Sequence, residues 1–306
     1  MVLYVIFTNP IQTKYKTSIC SKATFIIIFI NFLIFAVPLL IAYRTHGFWI
    51  KSDVYREQPD VHFMYEYLIM LETEKADCPV ICTTFNALSQ ATESFNKCSV
   101  IKVREVDNNK DGKNEKLFFE AEALLEPVEN VFSVTLILVL NYKLYSYSWL
   151  EMQTLAWIEA TSGVGGSQLS INGDLRLHQR QLLSNKGKDF RYNTSIVSAN
   201  YTHEFDLFDF LSSYAERNIT TKVDNVYTVW KRGRDPEMPF QISLILTYPE
   251  DNVQYRPGTW HVLKLAWVQY FALLYISVLI GRRVKHFILD YRLVHNIRYE
   301  PWKKAL

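Results

Sequence analysis

Two long apolar runs, one near each end of the chain, constrain this sequence more than any other feature. Residues 23–43 contain no charged side chain, and residues 262–280 contain only Lys264, near the edge of the run. A helix rises about 1.5 Å per residue, so about 20 apolar residues cross the roughly 30 Å hydrocarbon core of a bilayer. Both runs are long enough, and the sequence therefore predicts a membrane protein with two transmembrane α-helices.

Other interpretations of the first run fit less well. A cleaved signal peptide has a shorter apolar core and small residues at its cleavage site, whereas the run here ends in Leu-Ile-Ala-Tyr-Arg at 40–44. A buried helix of a soluble protein would leave one face polar, but residues 26–37 are apolar on every face. The clearly polar side chains of the two runs, Asn31, Gln269 and Ser277, are too few for an ion pathway.

Charge and glycosylation motifs predict the same orientation independently. Residues 1–22 and 281–306 carry an excess of lysine and arginine, which favours the cytosol, and the segment between them is acidic overall. That segment holds three Asn-x-Ser/Thr sequons, which are used only on the lumenal side. The sequons begin at Asn193, Asn200 and Asn218. We therefore expect a cytosolic N-tail (1–22), a first span (23–43), an extracytosolic domain (44–261), a second span (262–280) and a cytosolic basic C-tail (281–306).

The domain between the spans has mostly the alternating pattern of β-strands. Runs of β-branched and aromatic residues are bounded by Gly, Pro, Asn and Asp, which is typical of strands and turns. A glycine-rich stretch at 163–173 reads as a loop leading into a strand, and residues 206–217 read as one helix. The prediction is a β-rich, antiparallel, sandwich-like domain with strands at 61–70, 99–106, 117–125, 131–140, 142–149, 168–177 and 240–248.

The predicted domain contains three cysteines: Cys78, Cys82 and Cys98. The lumen is oxidising, so we expect two of them to form a disulfide. Cys98 pairs with either Cys78 or Cys82, and spacing alone does not choose between them.

Asp107, Asn109 and Asp111 begin a segment that matches the start of a calcium-binding loop, D-x-N-x-D-G. Oxygen ligands at alternate positions curl round one cation, and the glycine allows a sharp turn. The twelfth position, however, should be a bidentate glutamate and is Phe118. An EF-hand is therefore excluded. A weak calcium site on a hairpin tip remains an alternative to a solvated β-turn, and we favour the turn.

Residue patterns typical of catalytic sites are weak in this sequence. His178 and His203 have no serine, cysteine or carboxylate partner in motif form, and the i, i+3 carboxylates Asp206 and Asp209 are typical of a solvated helix face. We therefore predict that the protein is not an enzyme and holds no cofactor other than, weakly, calcium. Near the C-terminus, Lys303 and Lys304 resemble a dilysine signal for retrieval to the endoplasmic reticulum, or simply close a basic tail drawn to anionic lipid.

Several ordered blocks of sequence, together with two spans around a β-rich domain, resemble the transmembrane protein 231 family. The resemblance extends from the start to about residue 285, and it does not include the final Lys-Lys-Ala-Leu. The blocks are CSKA (20–23), HGFWIK (46–51), EQP (57–59), DNNKDGK (107–113), GSQLSINGDLRL (166–177), ERNITT (216–221) and KLAWVQY (264–270).

The resemblance implies a non-enzymatic structural component of the tectonic-like (Meckel syndrome) complex in the ciliary transition zone. Such a component contributes to the diffusion barrier between ciliary and plasma membranes, and to cilium assembly and signalling. Its expected partners are other membrane and soluble subunits of that complex and the lipid bilayer, not nucleic acid. Asn218 lies in a matched block, so its sequon is the one we most expect to be used. The alternative is a glycosylated accessory or ligand-binding subunit of the endoplasmic reticulum or cell surface.

Overall fold

A computed structural model describes residues 14–19, 21–46, 48–74, 79–85, 98–127, 129–196 and 207–299 of the chain. The chain divides into two compact units. One consists of Met1–Lys51 together with Gly258–Leu306, and the other is Ser52–Pro257. The helices are α1 (Lys22–Arg44), α2 (Leu207–Ala215) and α3 (Thr259–Asp290). The strands are β1 (Lys14–Lys16), β2 (Asp53–Glu57), β3 (Asp60–Thr73), β4 (Val80–Thr83), β5 (Cys98–Val106), β6 (Lys116–Ala123), β7 (Val131–Leu144), β8 (Trp149–Gln179), β9 (Leu183–Ser184), β10 (Lys188–Asp189), β11 (Ile219–Arg232), β12 (Phe240–Thr247), β13 (Asp251–Arg256) and β14 (Ile297–Tyr299).

Both predicted transmembrane helices are confirmed as helices of the first unit. α1 contains the whole run 23–43 and begins at an N-cap, Ser21, whose hydroxyl oxygen accepts a hydrogen bond from the backbone N–H of Thr24. α3 contains the run 262–280 but continues ten residues further. Its 32 residues make it about 48 Å long. The beginning of the predicted C-tail, residues 281–290, is therefore helical.

The two long helices pack against each other as an antiparallel pair. A Cβ atom added at Gly281 of α3 would lie 2.2 Å from Cδ1 of Ile34 in α1. Glycine is thus required at this point of closest approach, as is typical of packed transmembrane helices. Beyond the helices, β1 and β14 form a short antiparallel ladder, and the Tyr15 hydroxyl donates to the Asp290 carboxylate.

The second unit is built around one exceptionally long strand, β8. Its first half pairs with β7, and its second half lies between β11, which is antiparallel to it, and β12, which is parallel to it. β3 and β6 stand far apart in the strand order, yet their side chains meet: the ring centroids of Phe63 and Phe119 are 6.1 Å apart. The sheet therefore folds into two facing layers with one shared hydrophobic core.

The β-rich sandwich predicted from sequence is confirmed, with two differences in detail. The β8–β12, β8–β10 and β9–β13 pairs are parallel, whereas the prediction was antiparallel throughout. The predicted strand 142–149 is interrupted, because β7 ends at Leu144 and residues 145–148 form the connection to β8. The predicted helix around 206–217 corresponds to α2.

The loop predicted at the start of the glycine-rich stretch was wrong, because residues 163–167 lie within β8, whereas the strand predicted at 168–177 is confirmed as part of β8. Glycine serves there to let other side chains approach the strand closely. A Cβ atom at Gly165 would lie 2.6 Å from Cβ of Asn130, and one at Gly166 would lie 2.2 Å from Nε1 of Trp230. The bulge suggested by the pair Asn172-Gly173 occurs on the partner strand, between Asp224 and Tyr227 of β11.

The second unit begins and ends in neighbouring strands. β2 and β13 pair antiparallel, with Asp53 opposite Tyr255 and Glu57 opposite Asp251. The small sheet that they form is completed by β9. The points where the chain enters and leaves this domain therefore lie side by side, as expected for a domain held by two anchors.

Candidate assembly surface

The loop considered for calcium forms the tip of the β5–β6 hairpin, and its oxygens bind the loop's own backbone. Asp107 accepts hydrogen bonds from the N–H groups of Lys110 (2.6 Å) and Gly112 (3.0 Å), and Asp111 accepts one from Lys113 (2.8 Å). The side-chain oxygen of Asn109 accepts from the N–H of Asp111 at 2.9 Å. Such bonds are typical of a turn stabilised by Asx side chains. Among the described residues, no cluster of three or more His, Cys, Asp or Glu side chains is arranged for a metal ion.

Two of the three sequon asparagines lie in the described residues, and both are exposed. Asn193 follows the short strand β10, and Asn218 immediately precedes β11. The backbone N–H of Asn218 donates to the hydroxyl of Tyr192 at 3.2 Å, so the two sequons lie on the same corner of the domain. Asn200 lies outside the described residues. The accessible positions suit glycan attachment.

A disulfide joins Cys82 of β4 to Cys98 of β5, with 5.8 Å between their Cα atoms. Of the two pairings that the sequence left open, the structure has this one, and Cys78 lies outside the described residues. The bond connects the outermost strands of the two layers, since β4 and β5 are the two ends of the main strand order. It closes a chain segment, 86–97, that is not described.

The histidine and lysine candidates form no reactive site in the described residues. His178 lies in β8 opposite Thr220 of β11 and is half-buried. Asp209 is exposed in the first turn of α2. His203, Asp206, Lys303 and Lys304 lie outside the described residues, so no site involving them can be described.

The buried carboxylates of the domain have structural partners. Asp251 accepts hydrogen bonds from the backbone N–H of Leu177 (2.9 Å) and from the guanidinium of Arg176 (3.0 Å). It also accepts from the hydroxyl of Tyr142 at 3.4 Å. Burial, and secondarily the charge of Asp251, raise the pKa of Tyr142 well above its ordinary value. No local sequence pattern marks this group, because its members are far apart in the chain.

An aromatic cluster, Tyr55, Tyr147 and Tyr255, forms around the connection between β7 and β8. The three rings lie within 5.1–5.4 Å of one another, measured between centroids, and Tyr147 stacks on Tyr255. Burial, with the nearby charge of Glu57, raises the pKa of Tyr55 to about 12. Tyr147 is 61% exposed and Tyr255 is buried, so the cluster presents mainly the ring of Tyr147 to its surroundings.

β11 presents a second surface, at a sheet edge. Within the described part of the chain it pairs with β8 alone, so its other edge has no strand beside it. Val226, Tyr227 and Val229 are exposed, with Tyr227 and Val229 at 69% and 66%. An unpaired, apolar edge strand is a favourable site for the addition of a strand from another chain. This strand is not among those predicted from the sequence, although the run Val-Tyr-Thr-Val-Trp at 226–230 is a strong β-strand signal.

Comparisons with known proteins agree with the resemblance described above. Residues 1–298 match the family model described as Transmembrane protein 231. The protein of that name from Mus musculus is 37% identical over 300 residues, covering 97% of this chain and 95% of its own length. The Homo sapiens protein is also 37% identical with the same coverage, and the Gallus gallus protein is 39% identical over 289 residues, covering 93% of this chain and 90% of its own length.

Among solved structures, a cryo-EM structure of a proton-activated chloride channel aligns with 87% of this chain and 99% of its own chain. The sequence identity is 8% and the TM-score is 0.27. No fold or functional relationship follows from a TM-score of that size.

Proposed function

The chain belongs to the transmembrane protein 231 family, and from this premise we propose that it is a non-enzymatic structural membrane component of the ciliary transition zone, within the tectonic-like complex. In this role it contributes to the diffusion barrier between ciliary and plasma membranes, and to cilium assembly and signalling. The observation that carries the proposal is the family match over residues 1–298, which includes both spans and the whole domain between them.

The contacts of the second unit support a structural role. Its buried carboxylates hold strands together, as Asp251 does for β8 and β13. Its exposed apolar groups lie instead at two surfaces, the β11 edge and the ring of Tyr147 on the aromatic cluster. Aromatic side chains are enriched at protein interfaces. We propose that other subunits of the complex bind these surfaces while the two spans keep the domain in the membrane.

The proposal includes a topology. Both termini face the cytosol, and residues 44–261 face the lumen or the cell exterior, where Asn193, Asn200 and Asn218 become glycosylated and the Cys82–Cys98 disulfide forms. The basic tails meet anionic lipid or soluble subunits. No cofactor and no nucleic acid take part.

The test is the position of a fluorescently tagged copy, expressed at native level in a ciliated cell. We expect a ring at the base of the cilium, distal to the basal body and absent from the shaft. The variant Val229→Lys introduces a charge at the β11 edge and leaves the rest of the chain unchanged. It should weaken co-purification with the other subunits. Absence of the tagged protein from the ciliary base would contradict the proposal.

An accessory or ligand-binding subunit of the endoplasmic reticulum or cell surface is the second candidate. The exposed sequons Asn193 and Asn218 favour it, since they suit any lumenal glycoprotein. Steady reticular localisation with glycans sensitive to endoglycosidase H would support it. Replacement of Lys303 and Lys304 by serine would then release the protein to the surface.

A further inference from the structure

The two apolar runs are staggered along the α1–α3 helix pair. Gly281, the first residue after the second run, packs against Ile34 in the middle of the first run. Four residues further along α3, the ammonium of Lys285 donates to the side-chain oxygen of Asn31. Ile34 follows Ala23, the first residue of its run, by eleven positions, or about 16 Å along the axis. One run therefore ends level with the middle of the other.

The stagger places charged and apolar side chains at the same depth. Before Ile34, α1 presents Phe25, Phe29 and Phe32 outward, and each is more than half exposed in the helix pair. Such residues require contact with lipid chains. At the level of Phe32, α3 carries Arg282 and Arg283, which are exposed. Cations at that depth are stabilised when polar groups of the bilayer reach them, by local thinning of the membrane.

A groove on α3 surrounds these cations. The groove is open and shallow, and its lining combines charged and long apolar side chains of this one helix, among them Leu279, Arg282, Arg283, His286, Phe287 and Asp290. His286 is already paired with Asp290, at 2.5 Å. Among the described residues, neither Arg282 nor Arg283 makes a hydrogen bond or an ion pair. The groove therefore offers two guanidinium groups beside an apolar wall, which suits a phosphate group attached to acyl chains.

We propose that this groove binds the phosphate headgroup of an anionic lipid in the cytosolic leaflet and draws that leaflet inward around α3. The assignment to the cytosolic leaflet rests on the topology proposed above; the binding itself rests on the stagger and on the two arginines. Guanidinium groups form bidentate hydrogen bonds with phosphate oxygens, and the apolar residues of the groove contact the first carbons of the chains. The membrane is therefore thinner on the α3 side of the pair than on the α1 side.

The test uses the full-length protein in phosphatidylcholine vesicles with spin-labelled lipids. Electron spin resonance measures the association of labelled phosphatidylglycerol with the protein relative to labelled phosphatidylcholine. We expect selectivity for phosphatidylglycerol, falling about fivefold for each arginine replaced in Arg282→Gln and Arg283→Gln. The variant Arg282→Lys/Arg283→Lys keeps the charge but cannot form the bidentate hydrogen bonds, so it should retain only part of the selectivity.

The matched control is Lys22→Gln/Arg292→Gln, which removes two positive charges from the same end of the helix pair but outside the groove. It should lower the selectivity less than Arg282→Gln/Arg283→Gln does, because its charges belong to the basic tails but not to the groove. If Arg282→Gln/Arg283→Gln binds phosphatidylglycerol as well as the unaltered protein, or if the control loses as much selectivity, the proposal is wrong. Helical circular dichroism and elution volume show that each variant is folded. The labelled lipid is present in both leaflets, so this experiment detects lipid binding whichever way the protein is oriented in the membrane. The orientation is tested separately, by mapping glycans at Asn193 and Asn218.

Discussion

Glu57 and Asp251 lie directly opposite each other in the β2–β13 ladder, and both are buried, with exposures of 6% and 5%. Like charges opposite each other in a sheet are destabilising unless each has its own partners. Glu57 accepts hydrogen bonds from the backbone N–H groups of Tyr145 (2.9 Å) and Ser146 (3.1 Å). Asp251 binds β8 instead, through Leu177 and Arg176. The pair therefore joins the small sheet to the main one at two different places.

Replacing Asp251 by alanine should destabilise the second unit by about 3 kcal/mol, since it leaves the N–H of Leu177 without its acceptor and removes the ion pair with Arg176, whose guanidinium keeps only its hydrogen bond to the carbonyl of Glu250. The measurement is thermal or urea unfolding of the full chain in detergent, followed by tryptophan fluorescence. Asp235→Ala, at an exposed position, is the control and should be nearly neutral. Equal stability of the two variants would show that the buried carboxylate is dispensable.

Loss of the Cys82–Cys98 disulfide should destabilise the protein by about 3 kcal/mol, because the bond closes a loop of 16 residues in sequence. Cys98→Ser and Cys82→Ser should have the same effect, and the double variant should be no worse than either. Unfolding with and without a reducing agent provides the measurement, and non-reducing peptide mapping identifies the bond. A larger effect from Cys78→Ser would contradict the pairing.

Gly166→Ala should destabilise the protein by about 1–3 kcal/mol, because the added Cβ atom would overlap the indole of Trp230, which packs on this strand. Gly163→Ala is the matched control: it lies three residues earlier in β8 and has no heavy atom within 4 Å of the added carbon. Unfolding midpoints of the two variants are compared. If Gly163→Ala is the more damaging, the close approach of Trp230 does not determine the requirement for glycine.

Alkaline pH should destabilise the second unit through Tyr248. Burial raises the pKa of this tyrosine well above its ordinary value near 10. Below pH 10 the hydroxyl of Tyr248 is neutral in both the folded and the unfolded protein, and its full contribution to stability is present. Above pH 10 only the unfolded chain loses the proton, so stability falls by about 1.4 kcal/mol per pH unit until the folded group also ionises.

Tyr248→Phe should remove that part of the alkaline loss. At pH 7 it should cost little, because the buried hydroxyl has no hydrogen-bond partner among the described residues. Unfolding measured from pH 7 to 11 tests both statements, with Tyr227→Phe, at an exposed position, as the control. Identical pH profiles for the Tyr248→Phe variant and the unaltered protein would disprove the assignment.

Gly281→Leu should separate α1 from α3, because a side chain at this position collides with Ile34. Ile34→Ala in the same chain should restore part of the packing, since it removes the atoms that are contacted. Disulfide trapping between cysteines introduced in the two helices, in vesicles, measures their proximity. Val284→Leu, exposed on the same helix, is the control and should trap normally. The absence of rescue by Ile34→Ala would argue against this contact.

Local sequence was sufficient to predict those helices and strands whose formation depends on residues close together in the chain. The strand pattern at 240–248 and the helix near 206–217 follow from hydrophobic periodicity, and both are present as β12 and α2. Periodicity failed at 163–167, where glycine is usually a turn signal but here Gly166 accommodates Trp230, a residue more than 60 positions away. It also failed at 145–148, where alternating aromatics belong to a connection that packs on β2 and β13.

The sequence by itself determined that this is a membrane protein with two helical anchors around a β-rich domain, because the length of an apolar helix and the thickness of a bilayer are fixed by local geometry. It also carried the family resemblance, which depends on the order of residues alone. The tertiary structure decided which cysteine pairs with Cys98, which carboxylates are buried, and how far the apolar runs of α1 and α3 are staggered. Each of these depends on contacts between residues distant in the chain, and such contacts exist only once the strands and helices have packed.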